Sequence, residues 1–272
     1  MKQGISSGVW LVCGLMLFSG FTWGPKPKLG NLKSADYPMT QISNHTPWNA
    51  KSTEKYWNSL QRIELEIGKQ DRFRDLPALG MKNPYTGYIT LGDRDQKFGF
   101  IVDIFGEEKR LYIDSDGDGS FAGESYTLLL NEWYGANVYW VMDPEPVRLK
   151  LRYRASGDRV YPIEINASGY IFKPGFKVKE KPFLLVEVRT WFLTRILEDG
   201  VEKLAAVVDR NHNGRYDDKE DALFIDYNNN GFFTPDEAII RKSGVKLKGA
   251  RRTVRVDWGA YPGILQIKEG SR

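Results

Sequence analysis

Ala206-Val207-Val208-Asp209-Arg210-Asn211-His212-Asn213-Gly214 and, 17 residues further on, Leu223-Phe224-Ile225-Asp226-Tyr227-Asn228-Asn229-Asn230-Gly231 repeat one design. An apolar run meets an acidic residue, oxygen-bearing side chains follow at alternate positions, and glycine closes the sixth position. A third copy stands upstream as Leu111-Tyr112-Ile113-Asp114-Ser115-Asp116-Gly117-Asp118-Gly119. Alternate side-chain oxygens at positions one, three and five converge on one point, and the glycine allows the sharp turn that returns later ligands to it. The approaches to all three loops are apolar and β-prone, so the loops hang from the ends of strands.

The rest of the chain carries the same period of two. Arg62-Ile63-Glu64-Leu65-Glu66-Ile67 alternates cleanly, as do Gly87-Tyr88-Ile89-Thr90-Leu91, Val147-Arg148-Leu149-Lys150-Leu151-Arg152-Tyr153 and Thr253-Val254-Arg255-Val256-Asp257-Trp258. Such alternation marks half-buried strands. Turn residues separate the runs, among them Asn83-Pro84, Ser156-Gly157-Asp158 and Asn166-Ala167-Ser168-Gly169. The expected fold is mainly β: an antiparallel β-sandwich or open barrel with strand-flanked loops. Short helices are expected at Thr53 to Leu60 and Pro235 to Arg241. No internal boundary is legible, so residues 51–272 read as one β-rich domain.

The N-terminus differs. Lys2 precedes the apolar run Val9-Trp10-Leu11-Val12-Cys13-Gly14-Leu15-Met16-Leu17-Phe18. Residues 1–24 read as a signal peptide or, if uncleaved, as an N-terminal anchor and the chain's only link to a membrane. Residues 25–50, rich in Pro and Lys, read as a linker. Both readings make the protein exported: secreted, periplasmic or at the cell surface. The single cysteine, Cys13, lies inside the apolar run, so the chain beyond it has no disulfide. Bound metal is the crosslink left to an exported protein of this composition. The net charge of +4 is modest and no basic stripe accompanies it, which argues against a nucleic-acid partner.

The loops resemble EF-hand, dockerin and thrombospondin-type calcium loops over roughly forty residues, at 114–125, 209–220 and 226–237. The resemblance implies up to three Ca²⁺ ions. In a twelve-residue loop, ligands come from positions one, three, five, seven through its carbonyl, nine and twelve. The first loop offers Asp114, Asp116, Asp118, the carbonyl of Ser120, and Glu124 at position eleven. The second offers Asp209, Asn211, Asn213, the carbonyl of Arg215, Asp217 and Glu220. The third offers Asp226, Asn228, Asn230, the carbonyl of Phe232, Thr234 and Glu237. Position eight, aliphatic in most EF-hands, is aromatic here: Phe121, Tyr216 and Phe233. The strand-like flanks point to a rigid structural site and away from paired helices that open a groove. Zinc does not suit a chain with one cysteine and two histidines.

Catalytic signatures are not legible. His212 lies inside a loop and His45 inside the expected linker, and no nucleophile elbow, phosphate loop or dinucleotide fingerprint is present. Glu64, Glu66, Glu164 and Glu187 alternate with core positions on strands. Trp133-Tyr134, Tyr139-Trp140, Trp191-Phe192 and Tyr170 serve either as β core or as a stacking platform for a cell-wall or polysaccharide ligand. The sequence therefore reads as a calcium-binding, exported structural or binding module of the cell envelope. The alternative is a secreted hydrolase, or its accessory domain, braced by calcium.

Overall fold

The computed structural model describes residues 30–43, 60–105, 108–128, 130–134, 138–142, 146–172, 181–240, 243–248 and 253–270. The expected signal or anchor segment, His45 and almost all of the expected helix at Thr53 to Leu60 lie outside them. The described residues are mainly β, in four antiparallel sheets with no closed barrel. In chain order the strands are β1 (Ala35–Pro38), β2 (Thr40–Ser43), β3 (Gln61–Glu64), β4 (Glu66–Ile67), β5 (Tyr85–Leu91), β6 (Gln96–Phe105) and β7 (Glu108–Ile113). Next come β8 (Tyr126–Leu128), β9 (Leu130–Tyr134), β10 (Val138–Met142), β11 (Val147–Arg152), β12 (Val160–Phe172) and β13 (Phe183–Val188). The last are β14 (Thr190–Glu198), β15 (Val201–Val208), β16 (Ala222–Ile225), β17 (Ala238–Ile240), β18 (Val245–Lys248), β19 (Thr253–Asp257) and β20 (Ile264–Glu269).

The sheets face each other in pairs, and each pair encloses its own core. In the first sandwich, a sheet ordered β4-β5-β6-β7-β8 packs on one ordered β3-β13-β12-β10-β9, with β11 also paired to β12. Between them lie Ile89, Phe98, Phe100, Leu149, Leu151, Ile163 and Val186, all fully buried. In the second, a sheet ordered β17-β16-β15-β14-β2 packs on one ordered β1-β20-β19-β18, around Phe192, Val207, Ile225, Val256 and Leu265. The alternation expected from the sequence sets these faces: on β11, Leu149 and Leu151 are buried while Arg148 and Lys150 are exposed. All four residues of β16 are buried. Leu223 and Ile225 enter the second core, and Ala222 and Phe224 join Trp191 and Phe233 on the opposite face.

Three expectations change. The run Arg62 to Ile67 is not one strand. It pairs with β13 up to Glu64 and with β5 from Glu66, crossing between sheets at the buried Leu65. Part of the expected linker is built into the fold: β1 pairs with β20, and β2 with β14. Tyr37 on β1 is buried in the second core, which compensates for the polar residues around it. The expected helix at Pro235 to Arg241 is a single 3-10 turn at Pro235–Glu237, after which Ala238–Ile240 pairs with β16. Pairing with a buried strand outweighs helix propensity over so short a stretch.

The two sandwiches meet where β13 passes into β14 through the single residue Arg189. No turn signature marks that passage, which is why the sequence reads as one domain.

Candidate metal centres

All three loops are built on one scaffold. The position-one carboxylate sits inside a ring of backbone N–H groups. Asp114 accepts from Gly117, Asp118 and Gly119 at 2.8–3.2 Å. Asp209 accepts from Asn213 and Gly214, and Asp226 from Asn230 and Gly231. The position-five oxygen accepts from the N–H of position seven: Asp118 from Ser120, Asn213 from Arg215, and Asn230 from Phe232. Position six is left-handed glycine each time, at φ 82°, 73° and 80° for Gly119, Gly214 and Gly231. Position four is left-handed too, as Gly117, His212 and Asn229. Glycine enters that region freely, and asparagine and histidine are among the side-chain-bearing residues most often found there. The position-eight aromatics are anchors: Phe121, Tyr216 and Phe233 are all buried.

A closing carboxylate in each loop reaches back to the N–H of position two. In the first loop it is Glu124, which accepts from the N–H and hydroxyl of Ser115. In the third it is Glu237, which accepts from the N–H of Tyr227 and from both donors of Thr234. In the second it is not the expected Glu220. Glu220 is exposed and pairs with Lys219. Asp221, fully buried, accepts from Arg210 and Asp218 instead. The closer thus falls at position eleven, thirteen and twelve in turn.

The first loop joins β7 to β8. One oxygen each from Asp114, Asp116 and Asp118 lies within 4.8 Å of the others, so this cluster could hold a metal ion. Burial raises the Asp114 pKa, opposed by its N–H donors and assisted by the Asp118 charge. Lys150 lies 3.3 Å from Asp116. The loop also ties the two sheets of the first sandwich together: the Lys150 N–H donates to the Ser115 carbonyl at 2.8 Å, and Gln96 Nε2 reaches both Lys150 and Asp116 carbonyls.

The second loop joins β15 to β16. The expected ligand Asp217 is held by the Arg215 guanidinium at 2.8 Å. Its neighbour Asp218 is the residue turned inward, accepting from the side-chain amides of Asn211 and Asn213 at 3.0 and 2.7 Å. Asp209, Asp218 and Asp221 thus feel one another's charge, where the sequence pointed to Asp217 and Glu220; among the described residues only Asp114, Asp116 and Asp118 gather closely enough to hold an ion. Burial drives the pKa of Asp209 and Asp221 up, and the mutual repulsion of the three carboxylates adds to it. For Asp218 burial acts in the same sense but is outweighed by the Asn211 and Asn213 amides and the Glu220 N–H, so its pKa is lowered. His212 is fully buried with Nδ1 accepting from the Val188 N–H at 3.1 Å, and burial lowers its pKa to about 4.

The third loop joins β16 to β17. Asp226 and Glu237 are buried while Asn228, Asn229, Asn230 and Phe232 are exposed. It offers two carboxylates, the fewest of the three loops.

Of the remaining sequence candidates, those described sit in cores or in ion pairs. Trp191 and Phe192 point to opposite faces of their sheet, each into a separate core cluster. The side chains of Trp133, Tyr134, Tyr139, Trp140 and Tyr170 lie outside the described residues. Glu64 pairs with Lys181 and Glu66 with Arg72 at the surface, and the buried Glu164 pairs with Arg148. No protein-family model, curated protein or solved structure matches the chain.

Proposed function

We propose that this is an exported calcium-binding module whose cations brace a double β-sandwich at the cell envelope. One observation carries the reading: all three loops, one of them about a hundred residues upstream of the other two, share a ring of N–H groups around a first carboxylate and a closing carboxylate on the N–H of position two. Oxygen donors on a rigid strand-end loop suit calcium, which accepts six to eight of them in flexible geometry. Magnesium, smaller and reluctant to lose water, suits the arrangement less. At a dissociation constant of about 10⁻⁴ M and millimolar calcium, each filled site adds roughly 1.4 kcal/mol. Export is part of the same proposal: it would place the chain where calcium is abundant, and the single cysteine, Cys13, leaves no disulfide within the chain. The test is thermal melting of chelator-stripped protein. Added calcium raises the midpoint and equimolar magnesium raises it much less; a midpoint indifferent to both refutes the proposal.

A further inference from the structure

We infer that Asn230-Gly231, in the third loop, is a self-modification site where the asparagine amide converts to a carboxylate, while the same pair in the second loop, Asn213-Gly214, is held inert by its packing. The inference holds whether or not either loop binds calcium.

The reaction needs only the chain and water. The Gly231 backbone nitrogen forms a bond to Asn230 Cγ, and the side-chain nitrogen leaves as ammonia with the proton that the backbone nitrogen gives up. Water then opens the cyclic imide, to aspartate or to its β-linked isomer. Nothing is oxidised or reduced. Glycine after the asparagine favours the ring, because it has no Cβ to obstruct closure and its backbone turns freely. The sequence holds two Asn-Gly pairs, one in the second loop and one in the third.

Both pairs carry the same groups around the reacting atoms. The glycine N–H points at the position-one carboxylate, Gly231 to Asp226 at 2.9 Å and Gly214 to Asp209 at 2.7 Å. A carboxylate there can take up the proton as the ring closes. The asparagine oxygen accepts from the N–H of position seven, Phe232 or Arg215, each at 2.8 Å. That donor sits where negative charge gathers as Cγ becomes tetrahedral.

Freedom to move separates the two. Asn230 and Gly231 are exposed, and a methyl group on Gly231 would meet nothing within 4 Å. Among the described residues the Asn230 side chain is bonded through its oxygen alone, so the nitrogen that leaves is not held. Asn213 Nδ2 instead donates to Asp218 at 2.7 Å. The Asn213 and Gly214 carbonyls accept from the Gly92 N–H and the Tyr153 hydroxyl, each at 2.8 Å. Gly214 is buried against Gly92 and Leu91. Turning that peptide to bring its nitrogen onto Cγ breaks these bonds, and burial keeps water from the imide. Conversion of Asn230 gives the third loop, at position five, the carboxylate that Asp118 supplies in the first.

Peptide mapping by mass spectrometry reads both sites in the full chain aged in mildly alkaline buffer. Ageing in chelator keeps the outcome independent of calcium binding. In the folded protein Asn230 converts at least about tenfold faster than Asn213, whose bonds must break first. In denaturant the two convert at comparable rates. Asp218→Ala, which frees Asn213 Nδ2, speeds conversion at Asn213 and leaves Asn230 as it was. Asn230 intact in the folded protein while the denatured chain reacts overturns the inference, and so does Asn213 keeping pace with Asn230. Because the wild-type comparison suffices, a variant that fails to fold does not spoil the test.

Discussion

The second and third loops are adjacent copies of one motif with nearly the same internal hydrogen bonds, yet their surroundings differ. The second is wedged between two sandwiches: Gly214 is buried, and a methyl group there would lie 3.0 Å from both the Gly92 nitrogen and Leu91 Cβ. The third caps a sheet edge, with Gly231 exposed and nothing within 4 Å of such a methyl group. The motif fixes how the chain turns and where its oxygens point. The packing around it decides whether that turn lies against a neighbouring sandwich or caps a strand end.

The pair of glycines gives the largest contrast. Both are left-handed, so alanine costs about 1–2 kcal/mol at either for its backbone alone. At Gly214 the methyl group must also displace the β5–β6 turn, which raises the total to about 3–5 kcal/mol. Denaturant unfolding of Gly214→Ala and Gly231→Ala measures the gap; equal losses would mean the second loop is not wedged.

The closing carboxylate comes next. Asp221→Ala leaves the buried N–H groups of Arg210 and Asp218 without acceptor and costs about 2–4 kcal/mol. Glu220→Ala, one residue earlier and exposed, stays within about 0.5 kcal/mol. Calcium affinity follows the same order, and a calcium titration in which Glu220→Ala is the worse variant would restore the twelve-residue register.

A pH scan separates the loops further. Burial raises the Asp209 pKa from 3.8 to about 7 in the metal-free protein. A carboxyl group whose pKa rises on folding contributes stability that is fully present below about pH 4 and lost as pH climbs through about 7. The contribution from the second loop to metal-free stability therefore declines across that window. Calcium removes the decline, because it replaces the protons. Thermal melting with chelator across this range checks the sign, and a metal-free contribution that rises with pH contradicts it. Last among the losses is Tyr153→Phe, which removes one donor to the Gly214 carbonyl and costs about 1–2 kcal/mol. Denaturant unfolding measures it; a variant as stable as wild type would mean that this bond does not help to hold the sandwiches.

Much of this was readable from residue order, and what was not has physical reasons. The β approaches, the oxygen-bearing side chains at positions one, three and five, and the left-handed glycines at six follow from alternation and turn chemistry. The left-handed fourth position was hidden because glycine, histidine and asparagine fill it in turn. Position eight looked like a departure from calcium loops, whereas the aromatic rings there are what fasten each loop to a core. The shift from Glu220 to Asp221 was hidden because spacing alone cannot weigh burial: Asp221 abuts the wholly buried β16, so its side chain is carried inward while Glu220 meets solvent. The division into two sandwiches was hidden because Arg189 alone separates β13 from β14, with no glycine or proline to mark the change of sheet.

The central claim, that these loops are calcium sites, is tested most directly by calorimetric titration of chelator-stripped protein with calcium, followed by elemental analysis after dialysis. The account predicts saturable binding of up to three calcium ions per chain, weakened in Asp114→Ala, Asp209→Ala and Asp226→Ala by one site each. Heat no greater than dilution, with no calcium retained, would contradict it.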